Sequence, residues 1–180
     1  MLKPFTALAL ASLSLLLVAN SAFAQSSTLE RDFAQDMRVL ADNSLFDSGD
    51  GIYRASGNVR ISQGSMLITA HTLEITGTDP NSNEAELFVL EGSNGEPATY
   101  EQEIDEGFIV NAHAHRIEYD ATERVLRLFG AAELFQDGNL VRAESIVYNV
   151  EQKQVSATRG EEGQVETIFR PRQRTEQENP

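Results

Sequence analysis

Apolar and polar residues alternate with a period of two along most of this chain. Between positions 53 and 61, and again between 126 and 134, every second residue is apolar or small. Successive side chains of a β-strand point to opposite faces, so this pattern predicts β-ribbons with one buried face. Only residues 29–40 carry a weak helical pattern. The sequence therefore predicts an all-β protein.

The alternating stretch occurs twice. Residues 46–75 align with residues 119–148 at a constant offset of 73 without a gap, and six positions are identical. The identities include Gly57 with Gly130 and Arg54 with Arg127. The apolar positions keep the same phase in both copies. An internal repeat of strands fixes the architecture before any single motif does.

A shorter pattern marks where the strands bend. It begins with an alanine and occurs at Ala41, Ala70, Ala114 and Ala143, with spacings of 29, 44 and 29 residues. Up to each alanine the inward positions are two apart, whereas beyond it they fall three and five residues later. A shift of one residue turns every side chain to the other face unless the strand bends. We therefore predict a bulge or corner just after each alanine.

The remaining segments add short strands and turns. Turn residues cluster at 77–83 and 92–95. Further strands are predicted at 85–90, 97–100, 108–112, 155–158 and 164–169. The total is a dozen or more short antiparallel strands. Two facing sheets of this kind form a sandwich, a jellyroll or a short solenoid.

The two ends of the chain lack the alternating pattern of its middle. Residues 1–24 have a basic start at Lys3, an apolar run and an Ala22-Phe23-Ala24 ending, which together indicate a cleaved secretory signal. An uncleaved membrane anchor is the alternative. We expect residues 25–36 to be a flexible polar segment, residues 37–171 to form the folded domain, and residues 172–180 to be a disordered tail.

Composition excludes several classes of function. The net charge is −14, and removal of Lys3 with the signal would make it −15, so the chain lacks the basic surface that nucleic acids require. It has no cysteine for disulfides or thiol chemistry. His113 and His115 share a strand face but lack further ligands for a metal. We find no catalytic motif and expect neither an enzyme, a metal nor a cofactor.

The inward stripe of apolar residues allows two interpretations. If the two sheets close completely, the stripe is an ordinary core. If the sheets splay apart, the same stripe becomes an apolar trough along the molecule. Alternation alone does not distinguish these cases.

Several motifs resemble one known family. Gly57-Asn58-Val59, the Gln63-Gly64 turn, the repeated alanine pattern and the segment 95–100 (Gly-Glu-Pro-Ala-Thr-Tyr) are similar to the OstA-like family. The resemblance runs from about Met37 to Pro171. It implies an antiparallel, twisted β-jellyroll that is V-shaped and open along one side. It also implies a periplasmic protein that takes up the acyl chains of lipopolysaccharide inside the V and catalyses nothing.

Alternation combined with this resemblance gives candidate lipid-binding residues, about half of which we expect to fill the closed apex instead. They are Met37, Val39, Phe46, Val59, Ile61, Met66, Ile68, Ile75, Tyr100, Ile117, Tyr119, Leu126, Leu128, Leu134 and Tyr148.

The resemblance also implies partners. Molecules would join end to end with one another and with jellyroll domains of an inner-membrane export complex and an outer-membrane translocon. Free first and last strands, at 37–41 and 164–169, are the candidates for this joining because a sheet edge exposes unpaired backbone groups. The alternatives are an inner-membrane-anchored component of the same complex, or a structural repeat protein without a ligand.

Overall fold

The structure is a computed structural model that describes residues 27–77, 86–93, 95–105 and 107–170. It contains one short helix followed by twelve strands. They are α1 (Thr28–Phe33), β1 (Arg38–Leu40), β2 (Asn43–Asp47), β3 (Ile52–Gln63), β4 (Met66–Thr76), β5 (Leu87–Glu91), β6 (Ala98–Asp105), β7 (Phe108–Ala114), β8 (Arg116–Asp120), β9 (Val125–Gln136), β10 (Asn139–Asn149), β11 (Gln154–Thr158) and β12 (Glu166–Ile168).

Every strand pairing is antiparallel, and the long strands β3, β4, β9 and β10 run through two layers. The first layer has the order β2-β3-β4-β5-β8-β9-β10-β11, and the second has the order β1-β3-β4-β6-β7-β9-β10-β12. The edge strands β1, β2, β11 and β12 each pair with one neighbour, so the sheet is open and is not a closed barrel. The predicted all-β, antiparallel, open jellyroll is confirmed.

The internal repeat is visible in the strand boundaries. Adding 73 to the bounds of β2, β3 and β4 gives the bounds of β8, β9 and β10. The pairings repeat as well, because β4 pairs with β5 and β6 as β10 pairs with β11 and β12. The molecule is therefore one six-strand unit built twice.

Corners lie where the alanines predict them. On β10 the register shifts between Ala143 and Ser145, and opposite Ala70 the register of β3 shifts between Ser56 and Val59. Strand β7 ends at Ala114, after which β8 begins in the other layer. Small side chains let the two layers meet closely at this line, which we call the corner.

Each repeat builds its corner with the same contact. The Asp42 backbone N–H donates to the Gly57 carbonyl at 2.9 Å, and the His115 N–H donates to the Gly130 carbonyl at 3.0 Å. Both glycines have positive φ, 76° and 75°. A Cβ on Gly130 would lie 2.7 Å from the His115 ring, and one on Gly57 would lie 2.4 Å from the Asp42 carboxylate. Both equivalent positions therefore favour glycine over any residue with a side chain.

The amino-terminal segment corrects an expectation. Residues 28–33, which we expected to belong to a flexible polar segment, form helix α1. Its start is fixed by a capping box, in which the Ser27 side chain accepts from the Glu30 N–H and the Glu30 carboxylate accepts from the Ser27 N–H. Leu29 and Asp32 are buried. The predicted signal at 1–24, most of the turn cluster at 77–83 and the predicted tail at 172–180 lie outside the described residues.

Candidate functional site

The inner faces of the two layers are apolar or aromatic across the sheet, except at Thr167 on the edge strand β12. In the first layer one row of paired residues crosses eight strands, and in the second layer an equivalent row does the same. The first row is Phe46, Tyr53, Ile75, Phe88, Tyr119, Leu126, Tyr148 and Val155. The second row is Val39, Ile61, Ile68, Tyr100, Ala112, Leu134, Val141 and Thr167.

Most of the fifteen predicted lining residues lie between the two layers and are buried. The twelve buried residues are 0–5 % exposed and belong to one core cluster; they are Val59, Ile61, Met66, Ile68, Ile75, Tyr100, Ile117, Tyr119, Leu126, Leu128, Leu134 and Tyr148. Met37 and Val39 are partly buried against that cluster. In this structure the stripe is thus a packed core, and an open trough is not present at these twelve positions.

Phe46 departs from the expected burial. It shares the inner face with Ile75, because both pair with Tyr53. It is nevertheless 54 % exposed, since β2 is an edge strand. The inner face is therefore open to solvent at this end of the sheet.

The ends of the two layers that lie away from the corner are bridged by side chains. We call this side the mouth. Its first-layer rim is formed by the turns 121–124 and 150–153, and its second-layer rim by residues 63–66 and the end of β6. Lys153 on the first rim forms an ion pair with Asp105 on the second.

Helix α1 lies across the same mouth. The Asp32 carboxylate accepts a short hydrogen bond from the Ser65 hydroxyl and one of 3.4 Å from the Gln102 amide, both on the second layer. On the first layer, the Arg124 guanidinium stacks over the Phe33 ring at 4.0 Å from its centroid. The helix therefore contacts both walls of the V.

Three tyrosines lie between the layers beside this helix. The Tyr100 hydroxyl donates to the Gln102 side-chain oxygen at 2.5 Å. Burial, with smaller contributions from Tyr119, Tyr148 and Asp32, raises the pKa of Tyr100 well above its ordinary value. Burial, followed by the nearby Asp105 carboxylate, raises the pKa of Tyr148 to about 12. The Tyr148 hydroxyl is buried and has no hydrogen-bond partner in the part of the chain that the structure describes.

The outer face is polar and carries ion pairs between neighbouring strands. Arg54 pairs with Glu74 at 2.8 Å, and Arg142 pairs with Glu133 at 2.8 Å and with Glu166 at 2.9 Å. These groups are about half exposed, so each pair contributes little to stability. Their charges make the outer face polar, in contrast to the apolar inner face.

The histidines of the corner do not form a metal site. His71, His113 and His115 line one pocket on the outer side together with Glu96 and Glu133. Within the described part of the chain, no group of three or more histidine, cysteine or acidic side chains has the geometry to hold a metal ion.

Large apolar side chains are exposed at both edges of the sheet. Leu40, Leu45 and Phe46 lie on the edge strands β1 and β2, and Ile168 and Phe169 lie at β12. Phe169 is 75 % exposed. Exposed apolar residues next to unpaired strand edges are typical of surfaces that add another strand.

Sequence reasoning missed two parts of this region. Phe88 and Leu90 on β5 are buried between the layers, although only their strand was predicted. Their alternation in Leu87–Glu91 was the available signal. Helix α1 was also missed as an element of the mouth. Its signals were the weak helical pattern over residues 29–40 and the Ser27-x-x-Glu30 capping box.

The fold and the two apolar inner faces define an open antiparallel β-jellyroll with a helix across its mouth. Residues 38–154 match the family described as LptA/(LptD N-terminal domain) LPS transport protein. The lipopolysaccharide export protein LptA of Haemophilus influenzae is 30 % identical over 160 residues, covering 89 % of each chain. LptH of Pseudomonas aeruginosa is 32 % identical over 145 residues, covering 80 % of this chain and 79 % of that one. This chain belongs to the LptA/LptD amino-terminal domain family of lipopolysaccharide transport proteins.

A solved structure agrees with the fold. The crystal structure of LptH, described as the LptA-homologous periplasmic component of the lipopolysaccharide transport device of P. aeruginosa, superimposes with a TM-score of 0.70. The superposition covers 78 % of this chain and 99 % of that chain, at 26 % identity. Over the described residues, no helix is long and apolar enough to span a membrane.

Proposed function

We propose that this protein is a periplasmic lipopolysaccharide carrier that holds acyl chains between its two layers. The observation that carries this proposal is the pair of apolar rows that cross the whole sheet from β1 and β2 to β11 and β12. Eight strands at a spacing of about 4.8 Å give a path of roughly 34 Å that apolar and aromatic side chains line along most of its length. Membership of a lipopolysaccharide transport family supports the choice of ligand.

The physical need for such a carrier is large. Exposing one methylene to water costs about 0.8 kcal/mol, so a chain of twelve carbons costs on the order of 10 kcal/mol. An apolar lining removes that cost without a shape-specific pocket, and because apolar contact is non-directional, the chain remains free to slide. The acidic protein surface would leave the phosphorylated head group in solvent or with counterions.

Because the inner residues pack together in this structure, acyl chains require the two layers to separate. The corner would act as the fixed side, and the mouth would widen. At the corner the two layers are joined by the four long strands that run through both, whereas at the mouth they are joined by side-chain contacts. The carrier is therefore an opening V in this proposal, with no catalytic step.

Photo-cross-linking tests the proposal. A photoreactive amino acid at Tyr119, on the inner face, should capture lipopolysaccharide, whereas the same group at Glu118, on the outer face of the same strand, should not. Tyr100 provides a second inner position on the other layer. Capture at Glu118 without capture at Tyr100 or Tyr119 would reverse the assignment of the faces.

We also propose that molecules join end to end and to homologous jellyroll domains at both membranes. The exposed edges β1 and β2 at one end and β11 and β12 at the other support this joining, since each presents unpaired backbone groups and apolar side chains. Deleting residues 164–180 should leave monomers at concentrations at which the complete mature chain elongates. Light scattering coupled to size-exclusion chromatography measures this, and identical mass distributions would contradict it.

One observation favours a second candidate function. The twelve buried inner residues form a closed core, as a structural repeat protein without a ligand would have. Lipid analysis of protein purified without detergent distinguishes the two functions, because the carrier should retain lipopolysaccharide. An inner-membrane-anchored member of the same complex is distinguished by mass spectrometry, since a mature chain beginning at Gln25 excludes the anchor.

A further inference from the structure

Helix α1 is attached to the mouth differently from every strand. The strands are joined by continuous backbone ladders, whereas α1 is held by side chains: Asp32 to Ser65 and Gln102, Phe33 under Arg124, and the Gln63 amide donating to the Gln35 carbonyl at 2.9 Å. A six-residue helix has little stability of its own. It can therefore leave without breaking a single strand pairing.

The chemistry of α1 matches that of the proposed lipid. Leu29 inserts into the apolar core cluster, where it is 7 % exposed. One turn later, the Asp32 carboxylate presents acceptor oxygens to the Ser65 hydroxyl and the Gln102 amide. An acylated sugar has the same arrangement, because a hydrocarbon chain is joined to the head group through an ester or amide carbonyl that accepts hydrogen bonds.

A further donor lies between the two layers. Gln102 and Asp32 are the buried polar or charged side chains of the described residues, and Tyr148 adds a buried hydroxyl that has no hydrogen-bond partner among these residues. An unpaired buried hydroxyl is unfavourable unless another state of the protein satisfies it. An acyl carbonyl between the layers would accept from Tyr148.

We propose that α1 occupies the site through which acyl chains reach the groove, and that lipid binds only after α1 has left. This inference rests on the carrier function proposed above. Once vacated, the site offers the apolar pocket of Leu29 to a chain. The Ser65, Gln102 and Tyr148 donors then face the carbonyls at the head of the chain. The helix is thus an internal substitute for the lipid.

A removable cross-link tests the proposal in the complete mature protein. The chain has no cysteine, so Asp32→Cys with Ser65→Cys creates a single possible disulfide between α1 and the second layer. Binding of fluorescently labelled lipopolysaccharide, measured without detergent, should be about tenfold or more weaker when this protein is oxidised, and should return on reduction. Mass spectrometry reports the fraction cross-linked.

The matched control is Thr69→Cys with Thr99→Cys. These residues face each other on the outer side of β4 and β6, with their hydroxyls 2.6 Å apart, so that disulfide joins two strands of one layer and leaves α1 free. Its oxidation should leave binding unchanged. Equal binding by the oxidised and reduced α1 variant would overturn the proposal. Failure of the wild-type protein to bind would instead reject the carrier function.

A second pair of variants tests whether α1 competes with the lipid if the cysteines do not cross-link. Leu29→Ser loosens α1 and should tighten apparent lipopolysaccharide binding about threefold or more, because a larger fraction of molecules is open before the lipid arrives. Arg31→Ala, on the exposed side of the same helix, should bind like the wild type. Unchanged or weaker binding by Leu29→Ser would mean that α1 does not compete with the lipid.

Discussion

The corner and the mouth hold the same two layers together by different means. At the corner, four long strands pass from one layer to the other. The hydrogen bond to a glycine carbonyl occurs there in both repeats, from Asp42 to Gly57 and from His115 to Gly130. At the mouth, helix α1 and the Lys153–Asp105 ion pair join the layers among the described residues, and neither contact is repeated there. The comparison indicates that the corner fixes the fold and that the mouth is where the fold can open.

The largest effect should come from overfilling the corner. Ala114 is fully buried and pairs with Ala98, so Ala114→Leu forces extra methylenes between closely spaced backbones. We expect a loss of about 3 kcal/mol in the free energy of unfolding, measured by urea denaturation. Val147→Leu, on the outer face, is the control and should change it by about 0.5 kcal/mol or less. Equal midpoints for both variants would show that the corner is loosely packed.

A smaller effect is expected from Gly130→Ala, which should cost about 1–2 kcal/mol because a left-handed conformation disfavours a side chain. The new Cβ would also press against His115, so adding His115→Ala should recover part of the loss. The repeat predicts a similar cost for Gly57→Ala. If one glycine variant costs more than twice as much as the other, the two corners are not equivalent.

The smallest effect should come from the mouth. Lys153→Gln removes the ion pair with Asp105, whose side chains are partly exposed, and should cost about 0.5 kcal/mol or less. Arg54→Gln, which removes an outer-face pair with Glu74, should cost a similar amount. A loss above about 2 kcal/mol for Lys153→Gln alone would mean that the mouth contributes as much to the free energy of unfolding as the corner does. That result would contradict the difference between the two regions.

Much of the corner could be predicted from the sequence. The offset of 73 residues gives the equivalence of β3 with β9, and the change of parity after Ala70 and Ala143 gives the bends. These features are local, since alternation and a positive-φ glycine depend on a few neighbouring residues. The inward positions followed from the same alternation.

The mouth could not be predicted in the same way. Gln102 donates a hydrogen bond to Asp32, which lies 70 residues away in the sequence. Neither residue belongs to the aligned stretches 46–75 and 119–148. Whether the inner stripe is a trough or a core depends on how far the layers approach each other, which alternation does not contain. Phe46 illustrates this, because its face was predicted correctly but its exposure is set by the end of the sheet.

The distance between the layers tests the central claim most directly. Spin labels at cysteines replacing Val147, on the outer face of the first layer, and Asn111, on the outer face of the second, report this distance by pulsed electron resonance. With lipopolysaccharide bound, as quantified in the same sample, the distances should shift to longer values, because acyl chains would then separate the walls. An unchanged distribution with lipid fully bound would contradict the account, since the chains would lie elsewhere.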